Sequence, residues 1–270
     1  MRTAPQSILC RGSEFPKDQG RLVGVRGRRF GKRGRIVAVL AAWVLILLPG
    51  ALRAQEAPER TTIVVFGDSQ AQGLAGGLQR MLIEKPGFRV LNRTHPGAAL
   101  VHEESEWIAP IRKFLSHEQA EIAVVMLGAN DRLDMRLGGS GTYLHFKTDA
   151  WRDEYARRID EILTALAAAG LKVIWCGNPI ARSPTYSADM VYINQIYAER
   201  AERFGAQFVP LWQVIADAQG DYTAYGKDLD GVNRRLRADD GIHFTAPGYE
   251  LIAEKILSLI PTPAADATVP

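Results

Sequence analysis

From Thr61 to Ile260 short apolar runs alternate with longer amphipathic stretches, and this alternation constrains the fold more than any other feature of the chain. Parallel strands cannot be joined by a tight turn; they need a crossover of a dozen residues or more, which a helix supplies. The runs at 61–66, 88–93, 121–127, 171–176 and 206–210, rich in Val, Ile, Phe and Leu, are predicted strands. Between them, 70–84, 103–117, 149–169, 188–204 and 246–260 are predicted helices. In the third, Tyr155, Ile159, Ile162, Leu163 and Leu166 recur at three- and four-residue steps and make one apolar face. Gly170 is placed to end that helix. Right-handed crossovers then stack helices on both faces of a five-stranded parallel sheet. The connections 131–148 and 212–240 are too long and too irregular for plain linkers, and both follow strands, so both belong to the carboxyl edge of the sheet.

The formal charge of +3 misleads about this domain. Residues 1–54 hold 11 Lys and Arg against 2 Asp and Glu, which leaves 22 basic and 28 acidic residues beyond them. An acidic body with no basic run excludes a nucleic-acid partner on electrostatic grounds. The basic residues precede the apolar run Ile36–Leu48, which is followed by Pro49-Gly50 and Ala51-Leu52-Arg53-Ala54. That order is a secretory signal, and 13 apolar residues are short for a spanning helix, which needs about 20. Residues 1–54 are therefore expected to be a cleaved leader, or an uncleaved anchor that would be the one membrane attachment. The segment ahead of Arg35 is long for a signal, so Val23 or Val25 is an alternative start. Residues 55–60 follow as a linker, 61–260 as the domain and 261–270 as a disordered tail, in an exported, periplasmic or extracellular protein. Cys176, the single cysteine beyond the leader, lies in a predicted strand and is expected to be a core residue. No histidine pair or cysteine cluster has metal-ligand spacing.

At the carboxyl edge the strand Ile63-Val64-Val65-Phe66 runs into Gly67-Asp68-Ser69, which can present a hydroxyl where ligands of open α/β sheets bind. An Asp or Ser after a strand is equally an ordinary helix N-cap. A serine nucleophile needs a histidine to take its proton and a carboxylate to orient that histidine. Asp239-Asp240-Gly241-Ile242-His243 offers both: Asp240 stands three residues before His243 across a glycine bend, with Asp239 as the competing orienter. The negative charge that builds on the substrate oxygen needs fixed donors. Asn130, in Gly128-Ala129-Asn130-Asp131 after the third strand, and the backbone of Gly97, after the second, are placed to supply them together with the N–H of Ser69. Taken singly, Asn130 is as well explained as a turn cap, Gly97 as the residue after Pro96 in a turn and His243 as a loop residue.

Together, Gly67-Asp68-Ser69, Gly97, Gly128-Ala129-Asn130-Asp131 and Asp240-Gly241-Ile242-His243 resemble the four sequence blocks of the SGNH hydrolases, the GDSL-like esterases and lipases, in the order that superfamily uses. The likeness spans about residues 61–260 and is greatest to the exported bacterial branch. It implies an α/β, flavodoxin-like three-layer α/β/α fold with a five-stranded parallel sheet in the order 2-1-3-4-5. It also implies Ser69 as nucleophile, His243 as general base and then acid, Asp240 as its orienter, and an oxyanion hole from Ser69 N–H, Gly97 N–H and Asn130 Nδ2, with no cofactor. Gln70 departs from the leucine many members carry after the serine, which argues against the lipase sub-branch. No Gly-x-Ser-x-Gly elbow surrounds Ser69, against an α/β-hydrolase arrangement.

The expected reaction is hydrolysis of a small acyl ester, acetyl foremost, on a polar or carbohydrate carrier. The alternatives are acetyl transfer to an envelope glycan through the same triad and a catalytically silent carbohydrate-binding module. Arg132, Arg136 and Arg182, just after the third and fourth strands, are candidate substrate contacts, against the plain reading of loop arginines in solvent or ion pairs. Trp107, Trp212, Tyr222 and Tyr225 are candidate sugar-stacking rings, with core packing the competing explanation for the first two.

Overall fold

The computed structural model describes residues 60–138 and 141–263. The leader expected at 1–54, nearly all of the linker and the last seven residues of the tail lie outside the described residues. In chain order the elements are β1 (Thr61–Gly67), α1 (Ser69–Met81), β2 (Phe88–Thr94), α2 (Glu104–Trp107), α3 (Ala109–His117), β3 (Ile122–Met126), β4 (Met135–Arg136), β5 (Tyr143–Leu144), α4 (Asp149–Ala168), β6 (Lys172–Cys176), α5 (Pro184–Phe204), β7 (Gln207–Val209), α6 (Trp212–Ile215), β8 (Tyr225–Lys227), β9 (Asn233–Arg235) and α7 (Ala246–Leu257).

Five strands form one sheet in the order β2-β1-β3-β6-β7, with every neighbouring pair parallel. Counted among that sheet's own strands, this is the expected 2-1-3-4-5. The register aligns Gly67 with Thr94 and with Met126, so the ends of the three strands that lead into the motif loops are level. Ile63, Val64, Val65 and Phe66 are each 2% exposed or less because β1 is covered on both faces. Val64 and Phe66 pack with α3, α4 and α5, and Ile63 and Val65 with α1 and α7. Each such burial contributes about 1.5–3 kcal/mol, which exceeds the roughly 1–2 kcal/mol cost of ordering the residue's backbone.

Alpha1 and α7 approach closely because α1 carries glycines where they meet. A Cβ on Gly73 would lie 2.0 Å from the Tyr249 ring, and one on Gly77 2.9 Å from the Tyr249 carbonyl oxygen. This packing sets the start of α1, and with it Ser69, against the segment that leads from His243 into α7.

Several boundaries differ from expectation for local reasons. The helix expected over 103–117 is divided at Ile108, where Pro110 in the first turn of α3 lacks the N–H that a continuous helix would need. Alpha5 begins four residues earlier than expected: Ser183 caps it by accepting from the N–H of Tyr186 at 3.3 Å, and Pro184 follows. The long connections also contain regular structure. Beta4 pairs with β5, β8 pairs with β9, and α6 is a single turn. The β8–β9 hairpin is organised by Asp228, whose Oδ1 accepts from the N–H groups of Asp230 and Val232 at 3.0 and 2.9 Å. Among the described residues no helix is long and apolar enough to cross a membrane.

Candidate active site

Beta1 ends in Gly67 at φ +141°, and a Cβ there would sit 1.8 Å from the Met126 carbonyl oxygen, so the chain can leave the sheet at this point only as glycine. The next residue, Asp68, is 1% exposed and caps α1, with Oδ1 accepting from the N–H of Gln70 at 2.9 Å. Ser69 is thereby the first residue of the helix, where backbone N–H groups have no partner within the helix. Its Oγ lies 2.7 Å from His243 Nε2, a residue 174 positions away. On the other side of the imidazole, Nδ1 lies 2.6 Å from Asp240 Oδ2.

The Asp240–His243 bend is locally self-held. Asp240 Oδ1 accepts from the N–H groups of Ile242 and His243 at 2.8 and 2.9 Å, and Gly241 takes φ +74° between them. Partial burial works against the Asp240 charge, but the Ile242 N–H and the His243 ring and N–H outweigh it and bring the carboxyl down to about 2. Asp239 is turned away: it pairs with Arg235 and is 91% exposed at its side chain. Between the two candidate orienters, the structure brings Asp240 to the imidazole.

The two loops expected to supply oxyanion donors are tied to each other and to β1. His95-Pro96-Gly97-Ala98 closes a turn through the Ala98 N–H to His95 carbonyl bond at 2.9 Å, with Gly97 at φ +86° in the position a type II turn reserves for glycine. The His95 N–H donates to the Gly67 carbonyl at 2.8 Å. Asn130 Nδ2 donates to the Ala98 carbonyl at 3.0 Å, which uses one of its two N–H groups. Asp68 Oδ2 accepts from the N–H of Ala129 at 3.3 Å, and the Ala129 carbonyl accepts from the Tyr186 hydroxyl at 2.9 Å. Asp68 thus joins the serine's helix to the asparagine's loop.

Behind them lies a polar network with no counterpart in the sequence reading. Asp131 is fully buried and accepts from the Val101 N–H at 3.3 Å and the Tyr155 hydroxyl at 2.7 Å. That hydroxyl lies 2.7 Å from the Tyr197 hydroxyl, which also reaches the Leu127 carbonyl at 3.1 Å. Burial pushes the Asp68 carboxyl up to about 7, against the N–H bonds it accepts and with the Asp131 charge adding to the shift. Burial likewise raises Asp131 to about 6, opposed by the Tyr155 hydroxyl.

Residues 62–259 match the family described as Protein of unknown function (DUF459). The chain belongs to the DUF459 family. No curated protein matches its sequence. Solved structures show what fold this DUF459 chain has. It is similar to an acetyl xylan esterase (17% identity, 74% of this chain and 100% of that one, TM-score 0.51). It is also similar to the periplasmic domain of a Salmonella ser. Paratyphi A lipopolysaccharide acetyltransferase (17%, 74% and 83%, 0.52) and to a G-D-S-L family protein from Desulfitobacterium hafniense DCB-2 (11%, 74% and 100%, 0.53). The DUF459 chain has the fold of these proteins, and its loops carry the four blocks that resemble those of the SGNH hydrolases.

The arginines expected to meet substrate in the DUF459 protein divide. Arg132 is occupied: its Nε donates to Asp189 Oδ2 at 2.6 Å, its guanidinium lies 4.7 Å from the Tyr186 ring centre, and Lys147 holds the other Asp189 oxygen at 2.5 Å. It clamps the 131–148 insertion to α5 instead of reaching outward. Arg182 braces the histidine loop, with its N–H on the Gly241 carbonyl at 3.0 Å and Nη1 on the Asp239 carbonyl at 2.9 Å. Arg136 is exposed and lines a cavity of about 660 Å³ with His102, Glu103, Glu154, Arg157 and Arg158.

Of the aromatic candidates, Trp107 is 3% exposed in the core and Trp212 is half-buried, with its indole N–H on the Gly220 carbonyl at 3.0 Å. Tyr222 lies under the Arg182 and Arg237 guanidinium groups, while Tyr225 is 57% exposed. Gln70, which departs from the leucine many SGNH hydrolases carry there, is 2% exposed. Cys176 is fully buried, and burial pushes its thiol up to about 12. Among the described residues no group of three His, Cys, Asp or Glu side chains is arranged to hold a metal ion. The fully buried Arg237 went unmarked in sequence, because Asn233-Arg234-Arg235-Leu236-Arg237 reads as a charged surface run.

Proposed function

We propose that this protein is a serine esterase that removes a small acyl group, acetyl foremost, from a polar or carbohydrate carrier through an acyl-enzyme. The observation that carries the proposal is the unbroken relay from Ser69 Oγ to His243 Nε2 at 2.7 Å and from His243 Nδ1 to Asp240 Oδ2 at 2.6 Å. In this reading His243 takes the Ser69 proton as the oxygen attacks the acyl carbon, and Asp240 stabilises the imidazolium. The oxyanion is met by the N–H groups of Ser69 and Gly97 and by the N–H of Asn130 that Ala98 does not use. Collapse expels the alcohol, protonated by His243. Water, deprotonated by the same imidazole, then releases the acid and restores Ser69. No step draws on a cofactor.

The small acyl group and polar carrier are supported by two proteins of this fold, one an acetyl xylan esterase and one a lipopolysaccharide acetyltransferase. The exposed Arg136 and Tyr225 on the two hairpins offer polar and aromatic contacts to such a carrier. Export through the basic and apolar N-terminal segment belongs to the same proposal, since envelope glycans lie outside the cytoplasm. Acetyl transfer to a sugar hydroxyl uses the same acyl-enzyme and differs only in which nucleophile resolves it.

Turnover of p-nitrophenyl acetate and butyrate by the wild type and by Ser69→Ala tests the reading. The expected result is a fall of about 10³-fold or more in the variant; equal rates in the two would remove Ser69 as nucleophile. Adding an oligosaccharide acceptor and weighing the products separates hydrolysis from transfer.

A further inference from the structure

We infer that Arg237 is a positioning residue for the Asp240–His243 pair, holding the turn that carries both from its buried side. The inference rests on the esterase reading for what the turn does, and on the residues below for what holds it.

Arg237 is 0% exposed. Its Nη2 donates to two consecutive carbonyls, Gly241 at 3.1 Å and Ile242 at 3.2 Å, which belong to the last two of the three peptide groups between the carboxylate residue and the imidazole residue. The backbone closes the same loop at its base: Arg237 and Phe244 form an antiparallel bridge, and the Ala238 N–H donates to the His243 carbonyl at 2.9 Å. The side chain therefore enters the loop whose neck its own backbone helps to close. Its guanidinium lies 4.1 Å from the centre of the Phe244 ring and 5.0 Å from that of Tyr222. No carboxylate lies within ion-pair distance of it among the described residues, and its Nε and Nη1 have no hydrogen-bond partner there.

A buried cation of this kind is costly, and an apolar side chain would fill the same volume more cheaply. Burial brings its ionisation down to about 10, which still leaves it charged at neutral pH. What the guanidinium supplies and an apolar residue cannot is a donor for the two carbonyls. The turn needs that donor because it is otherwise exposed: the Asp240 and His243 side chains are 46% and 36% accessible, and the bend passes through Gly241 at φ +74°. Arg182 grips the outer side, its N–H on the Gly241 carbonyl at 3.0 Å. The Gly241 carbonyl is thus held from both sides, but the Ile242 carbonyl, one peptide from His243, is held by Arg237. A displacement of about 1 Å at a reacting group costs on the order of 10²-fold in rate.

Three variants test this: Arg237→Met, which keeps the volume, Arg237→Lys, which keeps the charge, and Arg237→Ala. Turnover of p-nitrophenyl acetate is referred to the concentration of sites labelled by a fluorophosphonate, so that unfolded material is not counted. Arg237→Met is expected to lose about 10–100-fold in kcat with KM within about twofold, and Arg237→Lys to lose less. Added guanidinium ion is expected to restore about tenfold of the kcat lost in Arg237→Ala. The downfield proton resonance of the His243–Asp240 hydrogen bond, read by NMR, is expected to be present in the wild type and broadened or lost in Arg237→Met.

A kcat within about twofold of wild type in Arg237→Met would overturn the assignment. So would a change that vanishes per labelled site, or failure of guanidinium to rescue together with an unchanged downfield proton. If Arg237→Met and Arg237→Ala do not fold, Arg237→Lys with a wild-type kcat and resonance overturns it, and a reduced kcat with a broadened resonance supports it. If the wild type shows no Ser69-dependent turnover the esterase reading fails instead, and the NMR signal still decides whether Arg237 holds the pair.

Discussion

The turn that carries Asp240 and His243 and the network behind Asn130 handle buried and exposed charge in opposite ways. In the turn the carboxylate is about half exposed and brought down to about 2, so that in the proposed reaction it stays ionised beside the imidazole. In the network Asp68 and Asp131 are 1% and 0% exposed and pushed up to about 7 and about 6. The difference separates two tasks. Groups that exchange protons with substrate and water need access and a partner that stays charged, whereas groups that fix donors in space need hydrogen bonds and dryness. Asp68 belongs to the second kind although it adjoins the serine, because its two oxygens are engaged by the Gln70 and Ala129 N–H groups and neither by the imidazole.

Substituting one residue from each region separates the two tasks. His243→Ala is expected to reduce turnover of p-nitrophenyl acetate by about 10³-fold or more. Its unfolding midpoint in urea should stay nearly unchanged, since the ring is about a third exposed and its two bonds serve the relay. Asp131→Ala is expected to do the reverse. It strips the Tyr155 hydroxyl and the Val101 N–H of their buried acceptor, at about 1–3 kcal/mol for each group left unsatisfied. Turnover per folded molecule should fall less than in His243→Ala. If the histidine variant lost as much stability as the aspartate variant, the division between relay and scaffold would not hold.

How much of this could be read from the chain follows the range of the interactions. Strands β1, β3 and β6 and the apolar face of α4 are local patterns of hydrophobicity, and they lie where periodicity puts them. Ser69, Asn130, Asp240 and His243 were legible because Ser69 opens α1 after β1, Asn130 lies in the loop after β3, and Asp240 and His243 lie in the loop that leads into α7. The scaffold was not. Tyr155 is on the predicted apolar face and is buried, but nothing near it in sequence indicates that its hydroxyl meets Asp131, 24 residues away. Arg132 reads as a loop cation because its partner Asp189 is 57 residues further on. The burial of Gln70 and Arg237 follows from α1–α7 packing and from the Arg237–Phe244 bridge, neither of which leaves a periodic trace.

A single titration tests both regions. Asp68 and Asp131 have folded-state values above the ordinary 3.8, so the folded protein binds their protons more tightly than the unfolded chain does. Their contribution to stability is full below about pH 4 and is lost as pH rises through about 6 and 7. Asp240 is shifted the other way, and its contribution is full above about pH 4 and lost as pH falls toward 2. Urea unfolding followed from pH 3 to pH 8 should therefore show stability rising to a maximum near about pH 4–5 and then declining toward neutrality, with each raised group contributing a slope of at most about 1.4 kcal/mol per pH unit. Asp68→Asn, which keeps an acceptor for the Gln70 N–H, should flatten the decline between pH 5 and 7 and leave the acid side in place. Asp240→Asn should reduce that acid-side loss, which the lowered carboxyls of Glu118, Asp134, Glu154, Asp189 and Asp228 share, and leave the decline. A wild-type profile that rises monotonically to pH 8 would mean that Asp68 and Asp131 are ionised in the fold as readily as in the unfolded chain, and the buried scaffold would then be solvated in solution.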